Sequence, residues 1–163
     1  MPKIIIIHGP TAAGKSTISR LLLDKLNDFA FVDRACIKDM LKKSGKAEAK
    51  QISNDASLFI IKELMKFQKN ILVQEMGIEV IKSKLKKYAK EYKFHSFYLY
   101  CSLPTAVERD KLRDKKTGTI EQITKIHNKC KPSKEDIVID TEKNSISKCV
   151  NLILKEICKD KRN

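Results

Sequence analysis

The sequence predicts an α/β fold of three layers, in which helices cover both faces of a five-stranded parallel sheet. Short β-branched runs alternate with amphipathic segments along the chain, which is the pattern of parallel strands joined by right-handed helical crossovers. The runs are apolar throughout, as expected for strands that are buried on both faces. A glycine-rich loop joins the first run to the first helical segment. With 163 residues and no linker, the chain is expected to form a single domain, 1–163.

Residues 9–16 read GPTAAGKS and match the phosphate-loop pattern G-x-x-x-x-G-K-[ST]. Gly9 lets the chain turn sharply out of a strand, and Gly14 lets backbone N–H groups approach phosphate oxygens. Lys15 is expected to reach the β- and γ-phosphates, and Ser16 is expected to hold Mg²⁺. A strand before the loop and a helix after it are the context that this motif requires, so the sequence predicts a P-loop NTPase fold that binds a nucleoside triphosphate. The expected nucleotide-binding residues of the loop are Gly9, Pro10, Thr11, Ala12, Ala13, Gly14, Lys15, Ser16 and Thr17.

Five runs rich in β-branched and aromatic residues predict the strands. In chain order they are KIIIIH (3–8), FAFV (29–32, ending at Asp33), ILVQEM (71–76), HSFYLYC (95–101) and DIVID (136–140). Ligands of parallel sheets lie beyond the carboxyl ends of the strands. The polar or reactive residues at or near these ends are His8, Asp33, Gln74, Glu75, Cys101 and Asp140. Among them, His8 is expected to serve packing or hydrogen bonding and not catalysis.

Apolar residues at three- and four-residue spacing predict helices between the strands. Ser53 or Asp55 is expected to cap the third helix, and Pro104 suits the first turn of the fifth. Residues 43–51 are polar and contain Gly45, so a mobile break is expected there. In chain order the predicted helices are 16–26, 34–43, one that carries Leu58, Ile61, Leu64 and Met65, 78–91, one opened by Pro104, 119–130 and 145–157.

The chain is strongly basic, with a net charge of +14. Taken alone, this charge indicates nucleic acid as a partner. Only five of the 34 basic residues are arginine, however, and the lysines fall mostly on the polar faces of the predicted helices. This distribution favours a solvated surface over a nucleic-acid patch.

The cysteines and the hydropathy pattern indicate a cytoplasmic protein. The five cysteines are scattered and never form C-x-x-C, which argues against a disulfide framework and against a zinc site. No run of 18 apolar residues suggests a membrane span, and no signal-peptide pattern precedes the first strand. No pattern indicates an oligomeric state.

Three classes of phosphate-loop protein can be compared. A GTP switch normally carries N-K-x-D, whereas residues 128–131 read NKCK and lack the aspartate. A remodelling ATPase carries an acidic pair after an apolar strand, whereas Gln74 stands where the first acid belongs. A small kinase needs the loop, a base for the acceptor hydroxyl and mobile arginines over the phosphates, and candidates for all three are present.

Three blocks resemble small phosphate-loop kinases: FVDRACIKDML (31–41), FYLYCSLPTAVERDKLR (97–113) and DIVIDTEKNSISKCVNLIL (136–154). The resemblance covers about residues 3–157 and is nearest to the chloramphenicol phosphotransferase, adenylylsulfate kinase and zeta-toxin groups, of the AAA_33 type. Shikimate and gluconate kinases are similar at greater distance. The resemblance implies the kinase group and does not name one substrate.

The resemblance implies that Asp33 accepts the proton of the substrate hydroxyl. The alternative is an ordinary cap of the helix 34–43, and the two roles are compatible. Arg109 and Arg113 are similar to the R-x-x-x-R of a lid, here at about 104–131, which closes over the triphosphate. The alternative for these arginines is surface pairing with nearby acidic residues, namely Glu108, Asp110 or Asp114.

Two further roles follow from the resemblance. Glu75 is expected to hold Mg²⁺ through water or to contact substrate, although the group more often has aspartate in this region. Thr141, after the fifth strand, is expected to contact adenine.

The function expected from the sequence is a kinase that uses Mg²⁺ and ATP, with Lys15, Asp33, Arg109 and Arg113 as the catalytic residues, and transfers the γ-phosphate to a small-molecule hydroxyl. One alternative is a polynucleotide kinase that acts on the 5′-hydroxyl of RNA or DNA, although the catalytic aspartate of such enzymes would fall on Ala35. A second alternative is an ATP-gated binding module without a metabolic substrate.

Overall fold

The computed structural model describes residues 1–41, 43, 45–74, 83–85, 87, 90–114 and 118–159. Within these ranges the strands are β1 (Lys3–His8), β2 (Phe29–Asp33), β3 (Asn70–Gln74), β4 (Lys93–Tyr100) and β5 (Ile137–Asp140). They form one five-stranded sheet in the order β2-β3-β1-β4-β5, and every neighbouring pair is parallel. With helices on both faces, this sheet confirms the predicted fold class.

The helices of the described residues follow the predicted alternation with the strands. They are α1 (Lys15–Leu23), α2 (Arg34–Met40), α3 (Lys46–Lys66), α4 (Leu103–Lys111), α5 (Ile120–Lys129) and α6 (Ile146–Cys158). The helix predicted at 78–91 lies largely outside the described residues, of which 83–85 and 87 are helical. None of the described helices has the length and the apolar character that crossing a membrane would need.

β1 lies at the centre of the sheet, and its isoleucines are buried on both faces. Ile5 and Ile7 pack in the cluster that includes residues of α1 and α6, whereas Ile4 and Ile6 pack in the cluster that includes α3. All four are completely buried, and each contributes about 1.5–3 kcal/mol to folding. The loop that follows β1 therefore starts from a strand that is buried on both faces.

The start of α3 differs from the prediction. Ser53 and Asp55 do not cap the helix, because α3 begins at Lys46, directly after Gly45. The predicted break at 43–51 is correspondingly short, since residues from Lys46 onward are helical. Ser53 is accommodated inside the helix because its hydroxyl donates to the Lys50 carbonyl at 3.0 Å, one turn back.

α3 packs against α2 through small side chains. Ala49, Ser53 and Ser57 are buried and recur at four-residue spacing, so they form one narrow stripe of the helix. The stripe leaves room for Arg34, a buried residue at the start of α2 whose Nη1 lies 3.4 Å from Ser53 Oγ. This contact fixes α2, and with it the residue that precedes α2, Asp33.

Candidate functional site

The phosphate loop has the backbone conformation that its glycines permit. Gly9 has φ 141°, and a Cβ there would overlap the carbonyl oxygen of Leu99 in β4. Gly14 has φ 85° and precedes α1, but its nearest neighbour is a side-chain atom of Ile18 at 3.8 Å. Gly9 is therefore required by space and by conformation, whereas Gly14 is required by conformation alone. The backbone conformation at these two glycines lets the loop N–H groups form the concave site, or cradle, that a phosphate needs.

Positive charge is concentrated inside the loop. The Lys15 ammonium donates to the carbonyl of Gly9 at 2.9 Å and to that of Pro10 at 2.6 Å. The first turn of α1 contains no acidic residue, so the positive end of the helix dipole is not offset there. The residues present thus fit the phosphates of a nucleotide.

The other predicted loop residues follow the same path around the cradle. Pro10, Thr11 and Ala13 are buried, whereas Thr17 is exposed on the first turn of α1. Ala12 has φ 59°, a left-handed conformation for a residue with a side chain.

Gln74 connects the loop to the end of β2. Gln74 is paired in register with Asp33 of β2 on one side and with Ile7 of β1 on the other. Its Nε2 donates to Asp33 Oδ2 at 2.8 Å and to Ser16 Oγ at 3.2 Å. Gln74 therefore links Ser16, the predicted metal ligand, to Asp33, the predicted base, through two hydrogen bonds.

Asp33 also caps α2, as the alternative role predicted. Its Oδ1 accepts from the backbone N–H of Ala35 at 2.9 Å. Its Oδ2 accepts from Gln74 and, at 3.4 Å, from the Cys36 thiol. The cap occupies one carboxylate oxygen and leaves the other turned toward Gln74, so capping does not exclude a part in chemistry. Burial raises the pKa of the Cys36 thiol, and the charge of Asp33 raises it further.

Arg109 reaches from α4 to the phosphate loop and to the turn after β5. Its Nη2 donates to the Thr141 carbonyl at 2.8 Å, and its Nη1 donates to Thr141 Oγ1 at 3.0 Å. Nη1 also lies 3.5 Å from the carbonyl oxygen of Ala12. Arg109, the first of the two predicted lid arginines, thus joins two predicted nucleotide-binding residues, Ala12 in the loop and Thr141 after β5.

The turn after β5 is held in place by a second set of hydrogen bonds. The backbone N–H and the hydroxyl of Thr141 both donate to the carbonyl of Tyr100, each at 2.9 Å. The neighbouring carboxylate of Glu142 accepts from Ser102 Oγ at 2.6 Å and from the hydroxyl of Thr105. These two hydrogen bonds lower the pKa of Glu142, with the Ser102 contribution the larger.

Arg113 lies in a different setting from Arg109. Its Nη1 is 3.5 Å from Asp110 Oδ1, one turn back, and its side chain is about half exposed. The pairing with Asp110 is one of the alternatives that the sequence left open. Closure of both arginines over a triphosphate stays a prediction.

The remaining predicted metal contact, Glu75, lies outside the described residues. Within the described ranges no group of three or more His, Cys, Asp or Glu side chains could hold a metal ion. Ser16 is the predicted protein ligand in that part of the chain. A hydroxyl and phosphate oxygens suit Mg²⁺, which keeps several waters and binds with few protein ligands.

His8 supports the base of the loop through a buried network. Its Nε2 lies 3.0 Å from Asp136 Oδ1, and its ring meets that of Tyr98 edge to face at 5.3 Å. Asp136 also accepts from Ser96 Oγ at 2.5 Å and from the backbone N–H of Ser133 at 2.6 Å. The expected role of His8 in packing and hydrogen bonding agrees with this position.

Sequence reasoning missed the link made by Gln74 and the anchor made by Glu142. The signal for Gln74 was its place at the end of an apolar strand where related classes carry an acid. Glu142 gave no comparable signal, because its partners lie about 40 residues earlier in the chain.

Comparison with protein families decides the family of this chain. A family model named AAA_18, an AAA domain, matches residues 5–131. The chain belongs to this family. No curated protein matches it. The matched residues include the phosphate loop, and the family implies a nucleotide bound there.

Solved structures share the fold of the AAA-domain protein at low sequence identity. The tunicamycin resistance protein of Deinococcus radiodurans is 17% identical with a TM-score of 0.72, and 96% of each chain is covered. Shikimate kinase from Acinetobacter baumannii, in complex with shikimate, is 17% identical with a TM-score of 0.66, over 100% of this chain and 97% of that one. The Pnkp1/Rnl/Hen1 RNA repair complex contains a chain that is 17% identical with a TM-score of 0.67, over 78% of this chain and 43% of that one.

Proposed function

We propose that this protein is a kinase that uses Mg²⁺ and ATP and transfers the γ-phosphate to a hydroxyl group of a small molecule. The observation that carries the proposal is the chain of hydrogen bonds from Ser16 through Gln74 to Asp33. It keeps a carboxylate beside the phosphate loop, where an acceptor hydroxyl and the γ-phosphate have to meet. Capping of α2 accounts for Oδ1 of this carboxylate, whereas Oδ2 faces Gln74 on the side of the loop.

Each part of the site has a defined task in this reaction. Lys15 and the loop N–H groups hold the β- and γ-phosphates, and Thr141 contacts the adenine. Mg²⁺, when bound at Ser16, neutralises charge on the phosphates, with Glu75 proposed as a further contact through water. Asp33 orients the acceptor hydroxyl and takes its proton as the oxygen–phosphorus bond forms and ADP leaves. Positioning and charge neutralisation supply most of the rate.

The lid at about 104–131 closes the site. Arg109 already lies against Ala12 and Thr141, so it needs little movement to contact a bound nucleotide. Arg113 would exchange its contact with Asp110 for a phosphate oxygen. The contact joins a half-exposed guanidinium to a buried carboxylate at 3.5 Å, which is long for a charged hydrogen bond, so a bidentate phosphate contact would be the stronger one.

The test is transfer of label from γ-labelled ATP to a panel of acceptors. The panel holds nucleosides, sugars, hydroxyl-bearing antibiotics, adenylylsulfate and shikimate, and Lys15→Ala is the blank. Label on a small molecule that is absent with Lys15→Ala supports the proposal. ATP binding without transfer to any acceptor contradicts it and favours the ATP-gated module.

The charge supports one second candidate, a polynucleotide 5′-hydroxyl kinase. A net charge of +14 suits a polyanionic acceptor, and the RNA repair complex shares the fold. Oligonucleotides with a 5′-hydroxyl therefore belong in the same panel. Label on them, with affinity that falls steeply as salt is added, would replace the small-molecule proposal by this one.

A further inference from the structure

We propose that Gln74 is a positioning residue that holds the Ser16 hydroxyl in place for Mg²⁺ and the Asp33 carboxylate in place for the acceptor. The inference rests on the proposed function, because it assumes that Mg²⁺ binds with ATP at Ser16. Gln74 stands where related phosphate-loop classes carry an acid, so its part in the site has to be worked out from this chain's own contacts.

The orientation of the Gln74 amide is fixed by its neighbours. The amide nitrogen lies 2.8 Å from Asp33 Oδ2. With the amide turned over, its oxygen would face a carboxylate oxygen at hydrogen-bond distance, and two acceptors would repel each other. The NH₂ group therefore faces Asp33, and its two hydrogens serve Asp33 and Ser16.

The environment of the Gln74 amide oxygen shows that the contacts of the nitrogen determine this orientation. Gln74 is 4% exposed, and its Oε1 is buried without a hydrogen-bond partner among the described residues. A buried acceptor without a partner destabilises the fold. The two donated hydrogen bonds, one of them to a charged group, offset this cost.

The neutral amide of Gln74 donates hydrogen bonds to Ser16 and Asp33, which an ionised carboxylate could not do. An acidic side chain at residue 74 would bring a like charge against Asp33, at a separation of about one hydrogen bond. The amide hydrogen instead occupies one lone pair of Ser16 Oγ, which leaves the second lone pair for Mg²⁺ and the hydroxyl hydrogen for a phosphate oxygen. Gln74 thus sets the direction in which Ser16 presents its oxygen.

The first half of the proposal, the positioning of Ser16, is tested by calorimetry, which measures the affinity for ATP with excess Mg²⁺ and with excess EDTA. Gln74→Met keeps the volume and removes the donors. We expect the ratio of the ATP affinity in Mg²⁺ to that in EDTA to be about 5- to 30-fold smaller in this variant than in the wild type. The affinity in EDTA should equal that of the wild type. In a Ser16→Ala background the same substitution should cause no further loss. Gln68→Met, at an exposed glutamine in the turn before β3, is the matched control.

The Asp33 half is tested by a double-mutant cycle in thermal unfolding. Asp33→Ser keeps an N-cap for α2 but is too short to reach Gln74. If the hydrogen bond is present, the two single losses of unfolding temperature sum to more than the loss in the double variant.

Two results would overturn the inference. An additive unfolding cycle would remove the Asp33 half. An unchanged Mg²⁺ gain in Gln74→Met would remove the Ser16 half, and if ATP affinity also fell equally with and without Mg²⁺, the role of Gln74 would be merely structural. Wild-type protein that binds ATP with no Mg²⁺ gain contradicts the metal role of Ser16, and wild-type protein that binds no ATP contradicts the proposed function itself.

Discussion

Arg109 in α4 forms two hydrogen bonds with Thr141, one to its carbonyl at 2.8 Å and one to its hydroxyl at 3.0 Å. The same guanidinium lies 3.5 Å from the Ala12 carbonyl in the phosphate loop. One side chain of α4 therefore contacts both the phosphate loop and the turn after β5. Arg113, four residues later, lies 3.5 Å from Asp110 Oδ1.

Because of this difference, we expect the two arginines to contribute unequally to ATP binding. Arg109→Lys should weaken ATP binding about 10- to 150-fold, because a single ammonium cannot replace the forked contacts. Arg113→Lys should weaken it only about fivefold, because Arg113 has to leave Asp110 before it contacts a phosphate and an ammonium keeps the charge of that contact. The measurement is the ATP dissociation constant of each variant. Equal losses would show that the contacts of Arg109 with Thr141 and Ala12 add nothing to ATP binding.

The two loop glycines are expected to differ in their cost on substitution. Gly14→Ala has room for its Cβ and should cost about 1–2 kcal/mol through the left-handed backbone alone. Gly9→Ala also drives its Cβ into the Leu99 carbonyl, so its loss should be clearly larger. Urea unfolding measures both free energies. A Gly9→Ala loss no greater than that of Gly14→Ala would contradict the close approach of the loop to β4.

Cys36 provides a chemical probe of the Asp33 carboxylate. Burial is the main cause of the raised pKa of Cys36, and the negative charge of Asp33 is the next. Asp33→Asn removes that charge, so the pKa falls and a larger thiolate fraction is present at a fixed pH below about 8.5. Alkylation of Cys36 by iodoacetamide, followed by peptide mass spectrometry, should therefore be faster in the variant. Cys158, exposed at the end of α6, is the control in the same sample, and an unchanged ratio of the two rates would contradict the contact.

Glu142 should make stability depend on pH in a defined direction. Hydrogen bonds from Ser102 and Thr105 lower its pKa in the folded state, so the ionised form is favoured by folding. The stabilisation is present above the unfolded pKa of about 4.3 and is lost as pH falls through the lower folded value. Glu142→Gln should lower the unfolding temperature near neutral pH by only about 1–3 °C, since the group is exposed.

That difference in unfolding temperature should shrink as the pH drops below about 4. Glu156→Gln, which removes a surface ion pair with Lys159, serves as the comparison. A gap that widens in acid would contradict the hydrogen bonds at Glu142.

The parts of the site that depend on local sequence were predictable. The spacing of Gly9, Gly14 and Lys15 dictates the loop, because the required φ values and the helix start follow from those residues alone. The isoleucines of β1 also indicated a strand buried on both faces, and the structure confirms it.

The parts that depend on register were not predictable. Gln74 meets Asp33 and Ser16 because β3 pairs with β2 on one side and with β1 on the other, and no local pattern states that order. Ser53 has the side chain of a helix cap, yet inside α3 its hydroxyl bonds a carbonyl one turn back, so the same residue type fits both places.

The most direct test of the account is the turnover of Asp33→Asn with an acceptor that the wild type phosphorylates. Asparagine still caps α2, so the fold should be preserved while the carboxylate is lost. Its NH₂ group would face the NH₂ group of Gln74, so turnover is compared at saturating Mg²⁺ and ATP. If Asp33 takes the acceptor proton, kcat should fall about 10²- to 10⁴-fold under these conditions. Turnover at the wild-type rate would show that the carboxylate beside the phosphate loop is only a helix cap.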